Sequence, residues 1–188
     1  MRAFLAVEIP SEIREKYASL CRVLRKNSVL SFVQQEKMHI TIAFFPDLPA
    51  SKINDVMSIF KNIDLKPFTI NCDNIGLFKR KGIPSTIFIK ILSENLYEYT
   101  KQIHNYLMDL NIPFDNRKPF TPHITLARIR EMLNEESFMK DYRLIVKQFE
   151  KSNFTAENIN LYSSDMITYR ILASHNFSNT NNNNIENI

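Results

Sequence analysis

The chain has 188 residues, of which 44% are hydrophobic, so it can bury an ordinary core as one domain or as two small lobes. Lys and Arg number 24 against 20 Asp and Glu, a mild excess that permits an anionic partner without demanding one. Cys21 and Cys72 lack the spacing of a zinc or redox motif, which argues against a stapled fold. Glu8 and Pro10 interrupt the first apolar run, so we expect a cytoplasmic protein without a secretory leader or membrane span.

The first half of the chain alternates between strand and helix patterns. An apolar strand is predicted over 4–7, followed by an amphipathic helix over about 11–27 that Ser11 caps. A second helix is predicted over 53–60 and an extended strand over 68–78. The order of the predicted elements is typical of an α+β protein.

The second half repeats this order. A strand is predicted over 87–91 and a helix capped by Ser93 follows it, whereas the helical pattern between 131 and 142 is weak. A further strand is predicted around 154–162. We expect a last strand, at about 168–177, to close the sheet of the second half.

The clearest sign of duplication is a short motif. His39-Ile40-Thr41-Ile42 recurs 84 residues later as His123-Ile124-Thr125-Leu126, and Phe4 and Phe88 have the same separation. The repeat predicts an α+β fold of two pseudo-symmetric lobes, each a mainly antiparallel sheet with flanking helices, around a central cleft. Residues 1–177 would form this single bilobal domain, and the Asn-rich segment 178–188 would be a disordered tail.

The motif carries acid and base groups suited to phosphodiester chemistry. Residues i and i+2 of a strand share a face, so each copy presents one imidazole beside one hydroxyl. Two imidazoles on opposite sides of a phosphorus atom can take a proton from the nucleophile and give one to the leaving oxygen, without a metal. The Thr hydroxyls can donate to the nonbridging oxygens.

Three segments of the chain resemble the two-histidine (2H) phosphoesterases. Within that superfamily the chain is similar to the RNA 2′,3′-cyclic phosphodiesterases, also called the 2′-5′ RNA ligase family. The segments are residues 1–6 (MRAFLA), 38–45 (MHITIAFF) and 120–128 (FTPHITLAR). The resemblance extends from Met1 to about Phe177.

The resemblance implies a cofactor-independent enzyme that hydrolyses terminal 2′,3′-cyclic phosphates of RNA to 2′-phosphomonoesters. It implies that His39 donates the proton to the departing ribose oxygen and that His123 activates water. It also implies that Thr41 and Thr125 bind the phosphate, and Arg128 matches the arginine that commonly follows the second motif.

The residues alone leave alternatives open. By geometry either imidazole can play either part, each could be an ordinary core histidine, and Thr41 and Thr125 could simply be strand formers. Arg128 lies at an odd offset from His123 and would face away from the phosphate unless a bulge redirects it. A zinc site on the two histidines would lack recognisable further ligands.

The remaining candidates lie around the expected cleft. Phe44 and Tyr169 are candidates for stacking on a nucleobase. The basic segment 79–82 is interpreted as a solvated hairpin turn that could also guide an RNA backbone. His104 and His175 receive no role. Two other functions stay open, a ligase that uses the same site and a non-catalytic nucleotide- or RNA-binding module, and we expect a monomer.

Overall fold

The computed structural model describes residues 1–116, 119–165 and 168–177, so the predicted tail at 178–188 lies outside the described residues. Four α-helices and nine strands alternate along this part of the chain. In order they are β1 (Ala3–Glu8), α1 (Ser11–Ala18), β2 (Ser28–Phe32), β3 (His39–Phe45), α2 (Ile53–Ser58), β4 (Phe68–Arg80), β5 (Ile83–Leu92), α3 (Glu94–Asp109), β6 (His123–Met132), α4 (Glu135–Lys147), β7 (Ser152–Ala156), β8 (Asn158–Ser164) and β9 (Tyr169–Asn176).

The strands form one sheet whose described pairs are all antiparallel. Its order is β7-β4-β5-β6-β3-β1-β8-β9, and β2 pairs with the far end of β6. The sheet curls into two wings that meet where β6 adjoins β3. We call β3, β1, β8 and β9 the first lobe and β7, β4, β5, β6 and β2 the second lobe. The predicted α+β class with two pseudo-symmetric lobes is therefore confirmed.

The two halves of the chain exchange strands between the lobes. β4 belongs to the first half but pairs with β5, while β8 and β9 belong to the second half but lie beside β1. The last strand therefore closes the first lobe, and our expectation that it would close the sheet of the second half is wrong. Hydrophobic periodicity locates a strand but does not reveal which edge it pairs with.

Helix lengths differ from the predicted ones. The first helix ends at Ala18 rather than near Asn27, and a 3₁₀ segment, Arg22–Lys26, continues the path. Cys21 and Leu24 remain fully buried in that path, because a 3₁₀ turn keeps nearly the same spacing between buried residues as an α-turn. The pattern therefore indicated the buried face correctly but not the hydrogen bonding.

The helices cover one face of the sheet and leave the other face for the site. Ser93 caps α3 by accepting from the backbone N–H of Leu96, as predicted. The weakly predicted helix is the well-formed α4, capped by Asn134. One hydrophobic core joins the apolar faces of the helices to Ile40 and Ile124 of the sheet. None of the helices in the described ranges is long and apolar enough to cross a bilayer.

The basic segment 79–82 spans the end of β4 and the tight hairpin turn into β5, so the predicted turn is present. Lys81 and Gly82, the two central residues of the turn, have left-handed backbone angles, with φ of 52° and 82°. Such angles at both positions match the twist of the flanking strands, and glycine adopts them without strain.

Candidate active site

The two copies of the motif meet at the junction of the lobes. Ile40 of β3 lies directly opposite Ile124 of β6, and this is the register position that joins the lobes. Ile40 and Ile124 are buried, whereas the flanking histidines and threonines on the opposite face are partly exposed. All four side chains therefore project from the concave face around one pseudo-dyad.

This register sets how far apart the histidines lie. Extending the register of the Ile40 and Ile124 pair by one residue sets His39 across from Thr125 and His123 across from Thr41. The two histidines are then diagonal neighbours, whose Cα atoms lie about 7–8 Å apart in an antiparallel pair and whose Cβ atoms lie somewhat closer. Two imidazoles at that separation can approach opposite sides of one phosphoryl group.

The histidine rings are held in the same tautomer. Nδ1 of His39 lies 2.7 Å from the carbonyl oxygen of Lys37, and Nδ1 of His123 lies 2.7 Å from that of Thr121. A carbonyl oxygen only accepts, so Nδ1 carries the proton in both rings. Nε2 is consequently the nitrogen that each ring presents to a ligand.

Aromatic rings form the walls on both sides of the junction. His39 stacks on Phe4 at 4.6 Å between ring centroids and meets Tyr169 edge-on at 5.6 Å. His123 meets Phe78 and Phe88 edge-on at 4.9 and 5.4 Å. These contacts limit rotation of the imidazoles and exclude water from their sides.

Strand pairing shows that Phe88 is not the structural equivalent of Phe4, although the two are 84 residues apart. Phe4 lies opposite Phe44, whereas the position opposite Arg128 belongs to Thr86 rather than Phe88. Phe88 is thus shifted by two residues, and its ring lies over Gly76, where an added Cβ would come within 2.3 Å of the ring. Phe88 occupies the position that Ala6 occupies in the first lobe. Phe88 lies opposite Gly76, and Ala6 lies opposite Asn160.

A bulge follows the threonine in each copy of the motif. Ile42 is the extra residue in β3 and Leu126 is the extra residue in β6, again 84 positions apart. A bulge reverses the alternation of side chains, so Arg128 reaches the same face as His123. Burial lowers the pKa of His123 most, and the charge of Arg128 on the same face lowers it further. The same bulge in β3 brings Phe44 to that face.

Comparison with known proteins identifies this duplicated arrangement. The LigT-like phosphoesterase family matches residues 7–88 and again residues 89–172. The chain belongs to that family. The predicted membership of the 2H phosphoesterases is thereby confirmed, and the family's two units divide this LigT-like protein at β5.

Two relatives of this LigT-like protein are named RNA 2′,3′-cyclic phosphodiesterases. It is 28% identical over 166 residues to an RNA 2′,3′-cyclic phosphodiesterase of Methanocaldococcus jannaschii, covering 88% of this chain and 92% of the relative. A relative of the same name from Archaeoglobus fulgidus is 28% identical over 131 residues, covering 69% and 73%.

Solved structures share the fold. A protein of Thermus thermophilus superimposes with a TM-score of 0.77 at 21% identity, covering 94% of this chain and 98% of the other. Escherichia coli LigT in complex with 3′-AMP gives a TM-score of 0.71 at 19% identity, covering 94% and 98%.

Burial dominates the electrostatics of the two imidazoles in this LigT-like protein. Loss of hydration lowers the pKa of His39 to about 4, against the hydrogen bond to the Lys37 carbonyl that raises it, and nearby His123 lowers it further. Burial and then the charge of Arg128 lower the pKa of His123, while the Thr121 carbonyl raises it. Both imidazoles are therefore neutral in the free protein near pH 7.

The other predicted residues lie at the rim of this centre. Phe44 is half-buried, and the guanidinium of Arg2 lies over its ring at 4.7 Å. Tyr169 retains 36% of its exposure with its edge toward His39. Of the remaining histidines, His175 stacks on Phe60 at 4.9 Å. Within the described parts of the chain, no group of three or more His, Cys, Asp or Glu is placed to hold a metal ion.

Sequence reasoning missed two rings that stack on the phenylalanines beside the histidines. Tyr162 stacks on Phe4 at 5.1 Å, and Phe78 stacks on Phe88 at 3.9 Å. A signal for both was present, since Phe78 and Tyr162 are themselves 84 residues apart. It also missed His104, whose Nε2 lies 2.8 Å from the carbonyl oxygen of Ile42.

Proposed function

We propose that this protein hydrolyses 2′,3′-cyclic phosphate ends of RNA or oligonucleotides to 2′-phosphomonoesters, by acid–base catalysis without a metal. The observation that carries the proposal is the convergence of two His-x-Thr copies across the Ile40 and Ile124 pair, with both Nε2 atoms available to a ligand. The names of the relatives from Methanocaldococcus jannaschii and Archaeoglobus fulgidus supply the substrate class.

The reaction needs one proton taken and one given. Nε2 of His123 accepts a proton from water, whose oxygen then forms the new bond to phosphorus. The bond from phosphorus to the 3′ oxygen breaks, and Nε2 of His39 protonates that oxygen. The phosphate remains on the 2′ oxygen, so atoms and charge balance without an added reagent.

Charge on the phosphoryl oxygens grows as water attacks. Thr41 and Thr125 share the face and depth of the histidines and donate hydrogen bonds to the nonbridging oxygens. Arg128, redirected by the bulge after Thr125, adds a full positive charge on the side of His123. Each proton transfer typically contributes about 10²–10⁴-fold, so these groups account for a substantial rate enhancement.

The assignment of His39 as the proton donor comes from family resemblance and requires its imidazolium. In the free protein its pKa of about 4 opposes protonation. A bound phosphodiester anion stabilises the imidazolium and raises the pKa of His39 and of His123. We therefore expect the pH profile of kcat, which reports the bound state, to lie at higher pH than the profile of kcat/KM.

The deciding experiment is turnover of 2′,3′-cyclic nucleotides, and of an oligonucleotide with a cyclic end, in EDTA with product identification. The expected product is the 2′-phosphate. A 3′-phosphate would reverse the proposed orientation, and the absence of turnover despite binding would favour a binding module. Joined product on adding a 5′-hydroxyl acceptor would assign ligase activity to the same centre.

Two aromatic side chains are placed to bind the base of the terminal nucleotide. Tyr169 is partly exposed beside His39, and the Phe44 ring has Arg2 on one face. Stacking contributes about 1–3 kcal/mol per base, so Tyr169→Ala and Phe44→Ala should each raise KM at least about 5-fold with little change in kcat. An unchanged KM in both variants would remove the stacking role.

A further inference from the structure

In each lobe a hydrogen-bond donor lies against the carbonyl oxygen of the bulged residue beside the motif. In the second lobe, the carbonyl oxygen of the bulged residue Leu126 accepts from the backbone N–H of Val33 at 2.9 Å, directly after β2. An edge strand thus satisfies the bulge of β6. The bulge of β3 needs an equivalent donor because Ile42 is buried, with only 3% of its surface exposed.

The segment after α3 lies beside β3 where β2 lies beside β6. Residues 112–116, which follow α3 as β2 follows the first helix, are irregular. Their backbone meets β3 at the position equivalent to the Ser31 and Arg128 pair, where the N–H of Asp115 donates to the carbonyl oxygen of Phe44 at 2.8 Å. The Ile42 carbonyl oxygen is within hydrogen-bond distance of a side chain.

That side chain is His104 of α3. Its Nε2 lies 2.8 Å from the Ile42 carbonyl oxygen, and because a carbonyl only accepts, Nε2 carries the proton. Its ring lies 4.6 Å from the ring of Phe114 and 6.2 Å from that of Phe120, between centroids. The imidazole is therefore held in place by packing as well as by the hydrogen bond.

We propose that His104 is a positioning residue, which donates from Nε2 to the Ile42 carbonyl and so holds the bulge that aims Thr41 and Phe44 at the bound substrate. It donates to the bulged residue of β3, as the backbone N–H of Val33 donates to the bulged residue of β6. Thr41 directly precedes the bulged residue, so a shift of this carbonyl moves the Thr41 hydroxyl relative to the phosphate. This inference rests on the proposed function for its kinetic consequence, but not for its structural one.

A pair of variants separates the hydrogen bond from the packing. His104→Phe keeps an aromatic ring against Phe114 and removes the donor, whereas His104→Gln can place an N–H near the position of Nε2. A displacement of about 1 Å at a reacting centre can cost about 10²-fold, so we expect His104→Phe to lower kcat about 10- to 100-fold and His104→Gln to recover most of it. His175→Phe, at a histidine outside the site, is the matched control and should leave kcat unchanged.

The double-mutant cycle distinguishes positioning from general support of the fold. In the His104→Phe background, Thr41→Ala should cost several-fold less in kcat than in the wild type, while Thr125→Ala should cost the same in both. Equal coupling to both threonines, or an unchanged kcat in His104→Phe, would overturn the proposal.

A structural measurement decides the inference even if the wild type does not turn over cyclic phosphates, an outcome that would reject the proposed function alone. In amide NMR spectra, His104→Phe should shift the signals of residues 41–44 and leave those of the equivalent residues 125–128 in place. His104→Gln should largely restore the wild-type positions. Unmoved signals at 41–44 would reject the positioning role.

Discussion

The two half-sites share their backbone and differ in what surrounds it. The His39 half-site consists of His39, Thr41 and the rings of Phe4 and Tyr169, and its bulge presents Phe44. In the His123 half-site the counterpart of Phe44 is a cation, Arg128.

Duplication thus preserved the features that aim the imidazoles. The bond from Nδ1 to the carbonyl two residues earlier, the bulge after Thr and the packing of a Phe ring occur on both sides. The two half-sites differ in charge and in aromatic environment. The proposed reaction has unequal entering and leaving groups, so it requires unequal partners on the two sides. The matched features give the two imidazoles the same orientation, whereas the unmatched ones give them different charged and aromatic neighbours.

The strongest way to break the comparison is to remove one imidazole at a time. His39→Ala and His123→Ala should each lower kcat by at least about 100-fold, because each removes one of two required proton transfers. The roles follow from pH profiles of the residual activity. Without the base the low-pH limb should disappear, and without the acid the high-pH limb should disappear. Near-normal turnover in either variant would take that histidine out of the mechanism, and His175→Ala serves as the control.

The hydroxyls should matter less than the imidazoles and should matter alike. Thr41→Ala and Thr125→Ala are expected to lower kcat about 10- to 100-fold each, since the phosphoryl oxygens retain another hydroxyl and Arg128. Thr→Ser at the same positions keeps the donor and should stay near the wild-type rate. If only one of the two alanine variants were slow, the phosphate would not lie on the pseudo-dyad.

Arg128 tests the asymmetry itself. Arg128→Gln removes a charge that lowers the pKa of His123, so the limb of the kcat/KM profile that reports His123 should move to higher pH. Because the substrate phosphate would lose its contact with the positive charge of Arg128, KM should rise about 10-fold. Arg128→Lys should leave the limb near its wild-type position. A limb that did not move in the Gln variant would place Arg128 away from His123 in solution.

The smallest expected effect concerns stability. The pKa of His39 falls from its ordinary 6.5 to about 4 on folding, so the unfolded chain binds more protons between those values. The free energy of unfolding should therefore drop as pH falls from 6.5 to 4, by about 3 kcal/mol for a fully buried ring and about 1–2 kcal/mol for this partly exposed one.

Urea unfolding at pH 7 and pH 4.5 measures this drop. His39→Gln has no titrating ring at this position, so its free energy of unfolding should fall less over that interval than that of the wild type. His175→Gln is the comparison variant. A drop in His39→Gln as large as that of the wild type would mean that the imidazole is not desolvated in the folded protein.

Local pattern predicted much of the site. A strand places His39 beside Thr41 on one face by alternation, and the 84-residue repeat placed a second pair in the same frame. The positions of most strands and the Ser93 cap followed for the same reason, because periodicity and capping are local. The extent of the first helix did not follow, since a 3₁₀ path buries nearly the same residues.

Local sequence pattern could not predict which distant strands pair with one another. Arg128 was expected to face away from His123, and only the bulge at Leu126, visible in the pairing with β5, turned it around. The pairing that makes Thr86, rather than Phe88, the structural equivalent of Phe4 also depends on contacts between distant strands.

The sequence by itself determined that the protein contains two imidazoles and two hydroxyls in matched His-x-Thr pairs, because these pairs are a property of residue order. Only the tertiary structure decided that the two pairs meet, that β4 and β8 cross to the opposite lobes, and that His104 contacts the Ile42 carbonyl. Those features depend on contacts between residues far apart in the chain, which no short-range periodicity records.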